Sequence, residues 1–245
     1  MAGRRVLITG GAGFIGSHLT YKFLNAGHDV IVLDNLVTGF SENLDFSDLP
    51  GDLRFVEGDV IDPFQAEIDL VINLACAASP PRYRADPIHT LRTCVQGTLN
   101  AAMVADQNRA RLVHSSTSEV YGDPEVHPHT EDYRGAVNPI GPRACYDEGK
   151  RAAETILFDM KRTRRTNIGV CRIFNTFGPR MDPYDGRVVS NFLRQALTGK
   201  SLTIYGSGEQ TRSFCYVDDT VEGIWQLCHA PADVSGPINL GNPHE

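Results

Sequence analysis

Short apolar runs alternate along the chain with longer stretches in which apolar residues recur every three or four positions. The runs fall at 6–9, 29–33, 53–60, 69–75, 111–116 and 167–174. Most are near-continuous Val, Ile and Leu, which predicts strands buried on both faces. Helical periodicity follows the glycines at 10–16 as far as Gly27 and returns over 87–107 and 144–160. Strand and helix in turn predict an α/β fold, a doubly wound parallel sheet with right-handed crossovers. After residue 174 the chain is richer in Gly, Pro and Asp, with a helix over 188–198, a strand over 202–205, a helix over 218–229 and a strand over 238–240. We therefore divide it into 1–174, whose sixth strand closes the sheet, and a smaller unit over 175–245.

The first strand runs into Gly10-Gly11-Ala12-Gly13-Phe14-Ile15-Gly16 and the first helix. Glycines at 10, 13 and 16 allow a tight turn, close approach of a pyrophosphate to the helix N-terminus, and close helix–strand packing. The spacing is G-x-x-G-x-x-G, and the strand before it and helix after it complete a Rossmann-type context. The second strand ends at Asp34-Asn35. A carboxylate there bonds a ribose diol and repels a 2′-phosphate, which points to NAD and away from NADP. Asp59 is placed to meet the adenine.

Tyr146 and Lys150 stand four apart in the 144–160 helix and share one face. A free phenol titrates near ~10, so service as a base at neutral pH needs a shift of roughly 3 units, or about 4 kcal/mol. A lysine cation and a nicotinamide cation are neighbours of the right sign. Thr117, Ser118 and Glu119 follow the fifth strand, at the carboxyl end of the sheet where ligands bind in such folds.

Composition narrows the partners. The chain has 245 residues, 41% hydrophobic, and a formal charge of -7, enough for a large core and poorly suited to nucleic acid. The short basic stretch 161–165 reads as a helix C-terminus. No run approaches the ~20 apolar residues of a membrane span, and residues 1–5 lead straight into a strand, leaving no room for a leader. Six scattered cysteines without a C-x-x-C pair suit core filling in a reducing cytoplasm. His127 and His129 lack a third ligand at metal spacing, so no metal is expected.

The glycine turn, Asp34, the 117–119 triplet and the Tyr146/Lys150 pair together resemble the extended short-chain dehydrogenase/reductase family of nucleotide-sugar enzymes. The blocks at 116–124, 138–151, 172–181, 185–192 and 205–214 are similar to the branch that decarboxylates UDP-glucuronate. The resemblance implies a cofactor-facing set of Gly10, Gly13, Phe14, Ile15, Gly16, Asp34, Asn35, Thr38, Gly39, Asp59, Val60, Leu74, Ala75, Ala77, Thr93, Ser115, Tyr146 and Lys150. For the substrate it implies Arg143 toward the sugar, Asn175 at the phosphates, Arg187, Val188 and Val189 along the nucleotide, Tyr205 at the uracil and Arg212 at the diphosphate.

The implied catalytic set is Thr117, Ser118, Glu119, Tyr146 and Lys150. A uronate cannot simply lose CO2, because the carbanion at C5 has nothing to stabilise it. Oxidation at C4 puts the carboxylate β to a carbonyl. The resemblance implies that Tyr146 takes the C4 hydroxyl proton while NAD takes the hydride, with Lys150 lowering the phenol pKa and Thr117 on O4. CO2 then leaves, C5 is protonated and C4 is reduced again. Related 4,6-dehydratases usually carry Asp where this chain has Ser118. A carboxylate ~4 Å from the substrate carboxylate would cost about 4 kcal/mol at an effective dielectric of 20. Glu119 has two open roles, protonating C5 or destabilising the bound carboxylate.

Two features depart from the pattern. Cys94 stands where the family usually has Asn, and the family continues well past residue 245, so the second unit reads as C-terminally truncated. A 4,6-dehydratase, a 4-epimerase and a non-catalytic NAD or UDP-sugar binding module stay open beside the decarboxylase. The resemblance also implies a homodimer packed through the Tyr146 helix.

Overall fold

The computed structural model describes residues 3–123 and 125–244. Met1, Ala2, Pro124 and Glu245 lie outside the described residues, so the two chain ends and one position of the 116–124 block are not tested by it. In chain order the cofactor-side elements are β1 (Arg5–Thr9), α1 (Phe14–Asn25), β2 (Asp29–Asp34), β3 (Leu53–Glu57) and β4 (Leu70–Asn73). Next come α2 (Pro80–Tyr83), α3 (Pro87–Arg92), α4 (Thr98–Asn108), β5 (Arg111–Thr117), α5 (Ala144–Arg164) and β6 (Ile168–Ile173). The remainder supplies β7 (Thr176–Phe177), α6 (Val188–Leu197), β8 (Cys215–Tyr216), α7 (Val217–His229) and β9 (Ile238–Leu240).

One sheet runs β3-β2-β1-β4-β5-β6-β9, every pair parallel. Period-two alternation sends Val6 and Ile8 to one face and Leu7 to the other. On the first face they meet Leu19 and Phe23 of α1 and Val221, Ile224 and Leu227 of α7. On the second, Leu7, Val71, Leu112 and Val170 meet Ala101, Ala102 and Ala105 of α4 and Leu157 of α5. The small alanines let α4 lie close to the sheet. The basic stretch 161–165 does end a helix: Lys161, Arg162 and Arg164 fill the last turn of α5, and Arg165 caps it.

The structure corrects three readings. The sheet does not close at its sixth strand, because β9 adds to β6 with Cys171 opposite Ile238 and Ile173 opposite Leu240. An uncovered β6 edge would have left its amides unpaired in a buried setting. The 202–205 stretch is not a strand: Leu202 and Ile204 are exposed, and Thr203 is held instead by the Gln195 side chain, whose Oε1 accepts from Thr203 N at 3.1 Å. The paired segment there is a short ribbon of β7 and β8. The 87–107 helix is interrupted by a π turn at Thr93–Gly97, whose glycine passes so close to Val60 that a Cβ would lie 2.5 Å from Cγ1.

A buried ion pair ties the site-bearing elements together. Arg172 of β6 grips Glu154 of α5 with Nε and Nη2, at 2.9 and 2.7 Å. Its Nη1 donates to Tyr121 Oη at 2.8 Å and to the Glu131 carbonyl. Ser116 donates to the same Glu154 carboxylate, and Tyr121 donates to Asn239 of β9. Removing one partner of such a pair strands a buried charge. Arg172→Ala is expected to cost about 3–5 kcal/mol of unfolding free energy, read as a lower midpoint in urea denaturation.

Candidate active site

The carboxyl ends of the parallel strands open on one cleft. Its cofactor end begins where β1 turns at Gly10, with φ of +73°, a region open to glycine. A Cβ on Gly16 would stand 2.1 Å from the Gly10 carbonyl, so helix and turn meet backbone to backbone. Among the described residues no side chain caps α1, and its first turn holds no acidic residue. Its leading N–H groups are therefore left to an anion. Asp34, buried at the end of β2, accepts from Ala12 N at 3.0 Å and Leu36 N at 2.9 Å. Burial lifts its carboxyl above the usual range against the pull of those two donors. Gly39 is packed behind it, where a Cβ would touch Asp34 Oδ1 at 3.1 Å.

Asp59 forms the far corner. Burial opposes its charge, but hydrogen bonds from Ile61 N, His89 Nε2 and Asn35 Nδ2 outweigh that and hold it below the usual carboxylate range. His89, 2.7 Å from Asp59, was missed by the sequence reading, since a lone histidine in a helical stretch carries no signal of a partner thirty residues away. Glycine turn, uncapped helix and buried acceptor suit a pyrophosphate and a ribose diol, so the residues present fit NAD. Phe14, Ile15, Thr38, Val60, Leu74, Ala75, Ala77, Thr93 and Ser115 also line the cleft.

At the reacting end, α5 presents Tyr146 and Lys150, both nearly buried. Tyr146 stacks on Tyr83 with ring centroids 5.1 Å apart and planes 4° from parallel. Lys150 Nζ lies 5.9 Å from the Tyr146 ring centroid and donates to the Ser115 carbonyl at 2.7 Å. Burial, then Cys76 and Cys94, push the phenol well up, while Thr117 and Arg187 pull it back only in part.

Thr117 ends β5, and its Oγ1 accepts from Glu119 N at 3.2 Å, starting a 3-10 turn over Ser118–Tyr121. Thr117, Ser118 and Glu119 all line the cleft. Arg143 reaches back from the start of α5 to pair with Glu119. Asp147, one helical turn on, is raised to about 6, chiefly by burial, against the charge of Arg143. Its Oδ1 has no hydrogen-bond partner.

Of the substrate residues, Arg143, Asn175 and Arg187 line the cleft. Arg187 is clamped by Asp185 through Nε at 2.5 Å and Nη2 at 2.9 Å. Val188, Val189, Tyr205 and Arg212 do not reach it. Tyr205 is 79% exposed, and Arg212 donates to its neighbour Thr211. Arg82 and Asp182, ion-paired at 2.5 Å across the cleft mouth, were missed because they are one hundred residues apart. Among the described residues no cluster of three or more His, Cys, Asp or Glu is arranged for a metal, and no helix is long and apolar enough to cross a membrane.

An uncapped glycine turn, a buried carboxylate at the end of β2 and a Tyr/Lys pair on one cleft define a dinucleotide-dependent enzyme fold of the short-chain dehydrogenase type. Residues 6–241 match the model of the NAD dependent epimerase/dehydratase family, and the chain belongs to that family. It is 54% identical over 242 residues to UDP-glucuronic acid decarboxylase 1 of Xenopus tropicalis, covering 99% of this chain and 57% of that protein. It is 54% identical over 244 residues to UDP-glucuronic acid decarboxylase 6 of Arabidopsis thaliana, covering 98% of this chain and 70% of the relative. Among solved structures, dTDP-glucose 4,6-dehydratase from Streptomyces venezuelae with NAD bound superposes with a TM-score of 0.82 at 31% identity, over 97% of this chain and 76% of that one.

Asp147 gives the site a pH signature. Its folded pKa, about 6, lies above the ordinary 3.8, so the folded state holds the proton more tightly. Stability should decline as pH rises from 3.8 to about 6, with the full loss present above that window. Asp147→Asn should flatten this decline in urea midpoints taken between those pH values.

Proposed function

We propose that this chain carries the NAD-dependent decarboxylation of UDP-glucuronate to UDP-xylose. The observation that carries the reading is the meeting of Thr117, Glu119, Tyr146 and Lys150 on the same cleft as Asp34 and the glycine turn. The identity to UDP-glucuronic acid decarboxylases across nearly the whole chain supports it. When bound, NAD supplies the oxidation at C4 and the closing reduction.

The chain's own side chains do the rest. Tyr146 Oη takes the C4 hydroxyl proton and later returns it, with Thr117 Oγ1 orienting the sugar oxygen. Lys150, anchored on the Ser115 carbonyl, keeps ammonium N–H groups for the cofactor ribose. Ser118 is neutral, which spares the substrate carboxylate a charge beside it. Glu119, ion-paired with Arg143, is assigned on resemblance either to protonation at C5 or to destabilising the bound carboxylate. Arg187, stiffened by Asp185, supplies positive charge for the nucleotide phosphates. Asn175 belongs to the same phosphate end, and Val188, Val189, Tyr205 and Arg212 are assigned to the nucleotide on sequence resemblance alone.

The reading includes a cytoplasmic setting, where thiols stay reduced, and a homodimer packed through α5 and α4. Met103 is the exposed apolar residue of α4 that such packing would cover. Sedimentation at micromolar concentration is expected to give a dimer, and a monomer-sized coefficient would remove that part of the reading.

The reaction is tested by incubating the chain with NAD and UDP-glucuronate in deuterated water and reading the sugar by NMR and mass spectrometry. Loss of CO2 with one deuterium at C5 of UDP-xylose is expected. A 4-epimer that retains the carboxylate would overturn the assignment. In the same assay Tyr146→Phe should lower turnover by about 10²–10⁴-fold.

A further inference from the structure

One cysteine of the cleft wall, Cys76, backs onto a second, covered cysteine, Cys94, in the cluster around Tyr146. Cys76 lies in the loop that leaves β4 and faces the cleft. Cys94 lies in the π turn and is 1% exposed. Their Sγ atoms are 3.3 Å apart. Both are free, and both belong to the small cluster formed by Tyr83 and Tyr146. A disulfide needs an S–S distance of about 2.05 Å, so closing this gap takes a movement of roughly 1.3 Å. Neither thiol has a part in the proton transfers assigned above.

We propose that Cys76 and Cys94 are a redox modification site, a dithiol that hydroperoxides oxidise to a disulfide in the wall of the cofactor cleft. Geometry assigns the two roles. A peroxide entering the cleft meets Cys76, whereas Cys94 is covered. The Cys76 sulfur attacks one peroxide oxygen, the O–O bond breaks, and the Cys76 proton goes to the departing oxygen. That forms a sulfenic acid and releases one water or alcohol. Cys94 then attacks the sulfenic sulfur, the S–O bond breaks, and a water leaves with the remaining proton. Two thiols lose two electrons and the peroxide gains them.

Access to the cleft, and not acidity, sets this division. The hydrogen bond from Cys76 and the positive charge of Lys150 hold Cys94 below the usual thiol range against burial, while the same contact and burial push Cys76 up. The Cys76 S–H bond is spent once its sulfur is oxidised, and the charge of Lys150 remains to favour the Cys94 thiolate for the second attack. Cys145, the third thiol of the cluster, donates instead to the Tyr83 carbonyl at 3.8 Å. There is little slack behind the pair. A Cβ on Gly149, one turn past Tyr146 on α5, would lie 2.9 Å from Cys94 Cβ and 3.1 Å from its Sγ. The bond joins the loop under the cofactor to the turn that supports the Tyr146 helix.

Bond formation is read chemically and does not depend on which reaction the cleft performs. The reduced chain is treated with one equivalent of hydrogen peroxide, quenched, unfolded in an alkylating reagent and mapped as peptides without reduction. Loss of two of the six thiols is expected, with the Cys76 peptide linked to the Cys94 peptide and both recovered by dithiothreitol. Cys145→Ser should form the same link, and Cys76→Ser should abolish it. Six alkylated thiols, a sulfinic acid on one cysteine, or a bond to Cys145 or to another molecule would each overturn the proposal. If Cys76→Ser does not fold, the maps of the unmodified chain and of Cys145→Ser still decide.

Discussion

The separation between the end of β5 and the Tyr146 helix is fixed by the buried Arg172–Glu154 pair. Glu154 sits two turns along α5 from Tyr146, and Ser116, the residue before Thr117, donates to its carboxylate. Arg172 returns both Glu154 oxygens to β6 and reaches through Tyr121 to Asn239 of β9. Charged groups are costly to bury unless paired and fully hydrogen-bonded, and here the guanidinium fork matches the carboxylate. The strand that carries Thr117 and the helix that carries Tyr146 are thus held at one spacing by a contact outside the cleft.

Electrostatics in the cleft follow from depth. Asp34 and Tyr146 are both disfavoured as anions by burial, and the protein offsets this differently for each. Asp34 receives two backbone N–H groups, whereas Tyr146 gains only partial help from Thr117 and Arg187. Of the two, Asp34 is the one whose charge the backbone supports directly.

Much of the sheet was legible from local pattern. Runs at 6–9, 29–33 and 111–116 are apolar enough to be strands on composition alone, and the glycine turn sits between one of them and a helix. The 202–205 stretch looks the same locally but has no neighbouring strand to pair with, so it stays irregular. The 238–240 run was read as a strand, but its place beside β6 was not visible, because pairing across more than sixty residues leaves no periodicity. His89, Arg82 and Asp182 were missed for the same reason: each matters through a partner distant in sequence.

The sequence alone determined the fold class, the glycine turn, the carboxylate at the end of β2 and the Tyr146/Lys150 pair, because each rests on residues within one turn, strand end or helix face. Tertiary structure decided the rest. It added a seventh strand, balanced Glu119 with Arg143, locked Asp59 with His89 and Asn35, left Tyr205 and Arg212 outside the cleft, and brought Cys76 against Cys94. These depend on which distant segments approach, and that is set by the packing of side chains across the sheet, which local spacing does not record.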